Sequence, residues 1–320
     1  MNRILLTTFP SAFMYDGGGE REIHLLNEAI NRAGMICDIY GPTSRSINAY
    51  QSVIHFSMAG GSEHVIESAK DNGLRLILWP NLWFVETPSA STLERLKALL
   101  SHFHAVVFRS QAEENHFRQY LDIEGKDVIR VSPLISPKFF RKNVTDVFRE
   151  SYGLTSYAIW PGIIEPQKNQ LAAVRAFTDL NLDLIISGGV RDQSYADECK
   201  RQAGPNVRFI PAMPFGSEQH LSALAHSQMV IELPFDFPGT SAIEAAAMGC
   251  PLLLSRSEWT NEMLGSDCTQ VDPTDEKEIR QLVSQLAHQR DSQTLQHSPR
   301  VEFMNMFDAV SPLTQYLRLI

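Results

Sequence analysis

Residues 234–251 read Pro-Phe-Asp-Phe-Pro-Gly-Thr-Ser-Ala-Ile-Glu-Ala-Ala-Ala-Met-Gly-Cys-Pro, and they combine residue types that bind phosphate and sugar groups. They follow an apolar strand pattern, and Thr240 and Ser241 stand where a helix is predicted to begin. N–H groups and hydroxyls at a helix start can bind a phosphate. The carboxylates of Asp236 and Glu244 can accept hydrogen bonds from sugar or ribose hydroxyls. The alternative is a capped helix whose first-turn acidic residues suit its dipole.

A second stretch with possible chemistry, 161–170, reads Pro-Gly-Ile-Ile-Glu-Pro-Gln-Lys-Asn-Gln and also joins a predicted strand to a predicted helix. This order presents the ammonium group of Lys168 at the carboxyl edge of a sheet, where ligands of α/β proteins bind. A cation there can neutralise a leaving phosphate. A surface lysine at a helix start is the alternative interpretation.

A third stretch, Gly17, Gly18, Gly19 and Glu20, leads from the first predicted strand into a helix. A glycine loop lets backbone N–H groups approach a ligand closely, so a diphosphate or an acceptor hydroxyl can bind here. The spacing is not the dinucleotide-binding fingerprint, because Glu22 stands where that pattern requires glycine. A flexible turn is the alternative.

Short apolar runs alternate with amphipathic stretches along the chain, which predicts the α/β class with parallel sheets. Predicted strands cover 3–8, 35–40, 52–56, 74–79, 105–108 and 127–131 in the first half. In the second half they cover 157–160, 182–187, 207–211, 229–233 and 251–255. Prolines at 133 and 137 indicate a linker, and we predict domains at 1–150 and 151–300, with a last helix in 301–320 that returns to the first domain.

Composition limits the classes of function. The 320 residues are enough for two domains, and 43% hydrophobic and 20% charged residues are close to globular averages. A net charge of -9 argues against nucleic acid as a partner. The four cysteines form no CxxC pair, and no apolar run approaches the length of a membrane span. Reduced thiols and a cytoplasmic location are the expectation.

Together these stretches resemble the family 4 retaining glycosyltransferases of the GT-B fold. Asp236 and Glu244 match the two acids of the family's E-x7-E motif, and Lys168 matches the lysine of its G-R-L-x-x-x-K-G segment. The loop 17–20 matches its G-G-x-E loop, and 271–273 matches its V-D-P segment. The resemblance runs over nearly the whole chain.

The resemblance implies two Rossmann-like doubly wound domains facing a central cleft, with a nucleotide diphosphate sugar held by the second. It implies that Glu244 binds the ribose, Asp236 the transferred sugar, and Lys168 the leaving diphosphate, with Lys168 and Asp236 as the catalytic residues. The predicted donor-binding set is Gly17, Gly18, Gly19, Gly162, Gly188, Pro238, Gly239, Thr240, Ser241 and Glu244. No cofactor and no metal are implied, and the donor is UDP- or GDP-linked.

Three positions depart from the family pattern. Ile163 replaces the arginine that partners the lysine, and Arg191 is a candidate substitute. The first acid of the motif is Asp236, one methylene shorter than glutamate. Asn81 stands near the position of the family's histidine in the first domain.

The predicted function is retaining transfer of a sugar to an acceptor hydroxyl in glycan or cell-surface polysaccharide assembly. The acceptor is a glycan or a lipid-linked saccharide, and the protein has no transmembrane segment, although peripheral membrane contact is compatible with the sequence. The alternatives are a non-catalytic GT-B subunit that partners an active transferase and a GT-B sugar-nucleotide epimerase.

Overall fold

A computed structural model describes residues 2–14, 17–178, 180–289 and 298–320 of the chain. The chain forms two compact units, each built around a six-stranded parallel sheet with flanking helices. The first unit comprises Met1–Leu134 with Phe303–Ile320, and the second comprises Ile135–Glu302. The α/β architecture with two doubly wound sheets, predicted from the sequence, is confirmed.

The first unit begins with a strand and alternates strands with helices. Its strands are β1 (Arg3–Thr7), β2 (Ile36–Ile39), β3 (Ser52–Phe56), β4 (Arg75–Trp79), β5 (Ala105–Phe108) and β6 (Asp127–Arg130). Its helices include α1 (Gly18–Arg32), α2 (Glu63–Asp71), α3 (Ala90–Leu100) and α4 (Gln111–Arg118). The strands lie in the order β2-β1-β3-β4-β5-β6, so the order reverses between β1 and β3.

The second unit repeats the alternation from residue 147 onward. Its strands are β7 (Tyr157–Pro161), β8 (Asp183–Ser187), β9 (Val207–Ile210), β10 (Met229–Glu232), β11 (Leu252–Ser255) and β12 (Thr269–Val271). Its helices are α5 (Val147–Tyr152), α6 (Gln170–Phe177), α7 (Gln193–Gln202), α8 (Glu218–Ala225), α9 (Thr240–Ala247), α10 (Glu258–Met263) and α11 (Glu276–Gln289). The order β12-β11-β10-β7-β8-β9 reverses between β7 and β10.

Apolar residues of the central strands explain why the sheets are covered on both faces. In the second unit Trp160, Ile186, Ile231 and Leu253 are at most 2% exposed and belong to one core cluster with α6 and α7. Continuous apolar strands of this kind are typical of parallel sheets between two helix layers. In the first unit Ser110 caps the start of α4, because its hydroxyl accepts a hydrogen bond from the Glu113 N–H at 2.9 Å.

Two features of the fold differ from what the sequence predicted. The sequence predicted five strands in the second half, whereas the structure adds the three-residue β12 beside β11. The structure also groups residues 135–150 with the second unit, because α5 packs against α8 there.

The C-terminal segment, with α12 (Met306–Ala309) and α13 (Ser311–Leu319), belongs to the first unit. The Tyr316 hydroxyl donates to Asp127 Oδ2 at 2.8 Å and accepts from Arg75 Nη2 at 2.8 Å. Among the described residues, no helix is both long and apolar enough to cross a bilayer.

A buried group of charges joins α1 to α4 in the first unit. Arg109 Nη2 lies 2.7 Å from Glu113 Oε1, and Arg109 Nη1 lies 3.2 Å from Glu22 Oε2. Glu22 is 3% exposed, and its Oε1 has no hydrogen-bond partner among the described residues. The effect of burial on the Glu22 carboxyl group outweighs the opposing effect of the arginine charge, and it raises the pKa of Glu22 from 4.5 to about 7.

Replacing Glu22 with glutamine should change how stability depends on pH. A carboxyl whose pKa is raised on folding stabilises the folded state below its unfolded pKa, and this contribution is lost as pH rises through its folded pKa. Between pH 5 and pH 8 the wild type should lose about 2.5 kcal/mol relative to Glu22→Gln. Urea unfolding of both proteins measures this, and the exposed Glu28→Gln serves as the control. Parallel pH profiles for wild type and Glu22→Gln would contradict the assignment.

Candidate functional site

The reversal of strand order in the second sheet locates a candidate site. β7 and β10 are neighbours in the sheet, although 67 residues separate the end of β7 from the start of β10 in the sequence. Met229 pairs with Ala158, and Val230 pairs with Ile159.

 The loops that follow these two strands therefore meet at one edge of the sheet. Such a reversal is where doubly wound proteins bind ligands, at the carboxyl ends of the strands.

Asn169 fixes the loop that follows β7. After the 3₁₀ turn Pro166–Lys168, Asn169 adopts a left-handed backbone conformation with φ 61° and starts α6. Its buried side-chain amide donates to the carbonyl oxygen of Leu233 at 3.1 Å and to that of Pro273 at 2.9 Å. The side chain of this one asparagine thus joins the loop after β7 to the loop after β10 and to the loop that precedes α11.

Lys168 and Asp236 form an ion pair across the two loops. Lys168 Nζ lies 2.8 Å from Asp236 Oδ2 and 3.1 Å from Oδ1. The Phe235 N–H donates to the Gln167 carbonyl at 2.9 Å, which holds the two backbones in register. The structure therefore brings together the two residues that the sequence predicted as catalytic, and both side chains are partly exposed.

The start of α9 lies in the same loop region as Asp236. Gly239 is the N-cap of the helix and Thr240 its first residue, so the predicted helix start is present. Thr240 and Ser241 are half-buried, while Pro238 and Glu244 are buried. The site therefore places a helix start and two hydroxyls beside a lysine and an aspartate, which is suited to a phosphate with attached hydroxyl groups.

Glu232, the last residue of β10, belongs to this site and was not predicted from the sequence. Its Oε2 accepts the Gly239 N–H at 3.1 Å, and the Ser241 side chain also hydrogen-bonds to the carboxyl group. Glu232 is 5% exposed, and burial raises its pKa from 4.5 to about 7. An acidic residue at the end of an otherwise apolar strand was the signal that could have identified it.

Gly162 and Gly188 lie where the backbones after β7 and β8 touch. The Gly162 N–H donates to the Ser187 carbonyl at 2.9 Å, and the Ile164 N–H donates to Gly189 at 2.9 Å. A Cβ on Gly188 would lie 1.7 Å from the Gly162 carbonyl oxygen. Close backbone packing is thus sufficient reason for glycine at 188, and a donor contact there stays a prediction.

Arg191, the candidate substitute for the arginine missing at 163, reaches the same loop from the β8 side. Its Nη1 lies 2.9 Å from Glu165 Oε2, three residues before Lys168. The side chain is 62% exposed, so the pair lies at the surface. The structure gives Arg191 a carboxylate partner.

The first unit has its own strand-order reversal, between β1 and β3. Gly17 is the N-cap of α1, and Gly19 lies next to Asn81, whose Nδ2 would be 3.6 Å from a Cβ at Gly19. Gly18 has open space around it. The glycine loop and Asn81 therefore meet at the carboxyl edge of this sheet, as their positions after β1 and β4 predict.

A pocket of about 330 Å³ opens at the ends of β1 and β2 in the first unit. Its walls include Phe9, Phe13 and Tyr40, together with His64. Thr8 also lines it, and the Thr8 Oγ1 is buried with no hydrogen-bond partner among the described residues. The lining of the pocket is mainly apolar.

Comparisons with known proteins extend these observations. No protein-family model matches the chain, and no curated protein sequence does. Solved structures do match. Anabaena HepE in complex with UDP and glucose is similar over 100% of both chains, with a TM-score of 0.81 and 12% identity. The chain shares the fold of these proteins.

Two further structures have the same fold. Sucrose-phosphate synthase from Thermosynechococcus elongatus has a TM-score of 0.71 and 15% identity, over 99% of this chain and 95% of that one. Trehalose-6-phosphate synthase, studied for glycosyl transfer with retention, has a TM-score of 0.63 and 12% identity, over 84% of this chain and 74% of that one.

Gly188→Ala should destabilise the second unit, since the new methyl group overlaps the Gly162 carbonyl and forces the loops after β7 and β8 apart. Overpacking of this kind costs about 1–3 kcal/mol or more. Gly189→Ala is the matched control, because a Cβ at Gly189 meets nothing within 4 Å. Urea unfolding compares the two variants, and equal stabilities would show that the loops accommodate the methyl group.

Proposed function

We propose that the protein is a glycosyltransferase that moves a sugar from a UDP-linked donor to an acceptor hydroxyl with retention of anomeric configuration. The observation that carries the proposal is the Lys168–Asp236 pair beside the N-terminus of α9, at the strand-order reversal of the second sheet. The fold shared with HepE, whose structure contains UDP and glucose, supports the choice of UDP. The shared fold of trehalose-6-phosphate synthase supports retention.

The donor binds to the second unit in this proposal. The diphosphate takes the N–H groups and hydroxyls at Thr240 and Ser241, Glu244 binds the ribose, and Asp236 binds hydroxyls of the transferred sugar. Lys168 then exchanges part of its contact with Asp236 for the leaving diphosphate. The bond between the anomeric carbon of the sugar and the diphosphate oxygen breaks, the acceptor oxygen bonds to that carbon on the same face, and the acceptor proton passes to the leaving phosphate oxygen. A preorganised cation and oriented N–H groups stabilise the charge that develops on the diphosphate, and the reaction needs no metal.

The acceptor binds to the first unit. The pocket at the ends of β1 and β2 combines apolar walls at Phe9, Phe13 and Tyr40 with the unpaired Thr8 hydroxyl. Apolar walls suit a lipid-linked saccharide better than a fully hydrated glycan, because they gain from contact with an apolar group. A lipid-linked acceptor agrees with a role in cell-surface polysaccharide assembly on the cytoplasmic side.

Thermal unfolding with a panel of UDP, GDP, ADP and their sugar conjugates tests the proposal. A ligand that binds only the native state stabilises it by about 2.7 kcal/mol at 100 times its Kd. We expect UDP and one UDP-sugar to raise the Tm, equally with and without magnesium. No response to any nucleotide would favour the non-catalytic subunit, and conversion of the donor without an acceptor would favour the epimerase. The anomeric proton coupling of the transferred sugar reports retention.

Lys168→Ala should lower kcat by about 10²–10³, the scale for losing one preorganised charge stabiliser. Release of UDP in the presence of donor and acceptor measures this. The exposed Lys200 on α7 of the same unit supplies the control variant Lys200→Ala, which should keep the wild-type rate. An unchanged rate for Lys168→Ala would remove Lys168 from the mechanism.

A further inference from the structure

One oxygen of the buried Glu232 carboxyl group lacks a partner at the candidate donor site. Oε2 accepts a hydrogen bond from the Gly239 N–H, whereas Oε1 is fully covered and finds no hydrogen-bond partner in the described part of the chain. Buried polar atoms are nearly always bonded in native proteins. The unpaired Oε1 at the start of α9 therefore indicates a group that the free protein lacks.

The chemistry of the missing group follows from its position. Oε2 already accepts a hydrogen bond from the N–H of the α9 N-cap, and the start of a helix is where a phosphate binds. The oxygens of a diphosphate diester are hydrogen-bond acceptors only. An ionised carboxylate is also an acceptor only and repels them, whereas a neutral carboxylic acid has one O–H to donate.

Burial favours the neutral form of Glu232, as its raised pKa of about 7 indicates. The charged groups that face it oppose one another. Lys168, from the turn after β7, favours the ionised form, and Asp236, from the loop after β10, disfavours it. From α9, Gly239 and Ser241 contribute hydrogen-bond donors that favour the ionised form. Glu244 lies one turn further along α9.

We propose that Glu232 binds the donor as a neutral carboxylic acid, with Oε1 donating its proton in a hydrogen bond to a diphosphate oxygen. The assignment rests on the proposed function and adds a donor-binding residue to it. The two acids of the resembled motif are Asp236 and Glu244, and both are assigned to hydroxyl groups. Glu232 instead forms a hydrogen bond with the diphosphate.

This arrangement couples donor binding to a proton. Below the pKa of Glu232 the free protein already carries the proton. Above that pKa the protein must take up a proton from solution to bind the donor, so affinity falls as pH rises. UDP-glucose is the suitable probe, because it lacks the terminal phosphate monoester that titrates near pH 6 in UDP.

Calorimetric titration of the full chain with UDP-glucose at pH 6, 7 and 8.5, in buffers of different ionisation enthalpy, tests the proposal. For the wild type we expect affinity to fall at least about tenfold from pH 6 to pH 8.5, with uptake approaching one proton per UDP-glucose at pH 8.5. Glu232→Gln keeps an N–H donor that does not titrate. It should bind at pH 8.5 nearly as it does at pH 6, without proton uptake.

Glu22→Gln is the matched control, because burial also raises the pKa of Glu22 to about 7, but in the first unit. It should keep the pH dependence and proton uptake of the wild type. Binding of UDP-glucose by the wild type without proton uptake would overturn the role of Glu232 and leave the proposed function standing. That outcome can be measured even if Glu232→Gln does not fold. Failure of every nucleotide sugar to bind would overturn the proposed function and this assignment together.

Discussion

The strand-order reversal between β7 and β10 is the constraint on which the candidate site depends. Residues that lie 68 positions apart, Lys168 and Asp236, meet only because these two strands are neighbours. The contact is held by backbone and amide bonds rather than by the ion pair alone, since Asn169 bonds two carbonyls and Phe235 bonds Gln167. The charged side chains can therefore exchange partners while the loops stay in place.

The balance of charge explains why a helix start is needed at this site. Lys168 faces two nearby carboxyl groups, Asp236 and Glu232, so one cation cannot by itself attract an anionic ligand. The N–H groups of α9 add positive potential without adding a side chain that titrates. A neutral Glu232 removes one negative charge from the same small volume.

The strands and the loops that follow them could be predicted, because local sequence patterns determine them. The three loops with possible chemistry each follow a strand, and continuous apolar runs identified most strands within one or two residues. β12 was missed because three residues carry too little periodicity. Glu232 was missed because its importance depends on burial and on the position of Gly239, seven residues later, and neither is visible in a strand pattern.

For other residues, the three-dimensional contacts show interactions that the sequence could not predict. Gly188 was predicted to bind the donor on the basis of the family resemblance, but the structure adds a backbone contact with Gly162 that leaves no space for a side chain. Arg191 was considered for a phosphate, and the structure places it against Glu165. Phosphate affinity and ion pairing require the same residue types, so sequence alone does not separate them.

The Lys168–Asp236 pair also bears on how fast a ligand arrives. An ammonium group that is already paired attracts little at long range, and the chain carries a net charge of -9. An anionic ligand is therefore repelled until it reaches the loops, where short-range bonds begin to act. Dissolved salt screens the repulsion more than it weakens those bonds. Encounter with an anion thus becomes faster as ionic strength rises, which is the reverse of the behaviour of a basic binding surface.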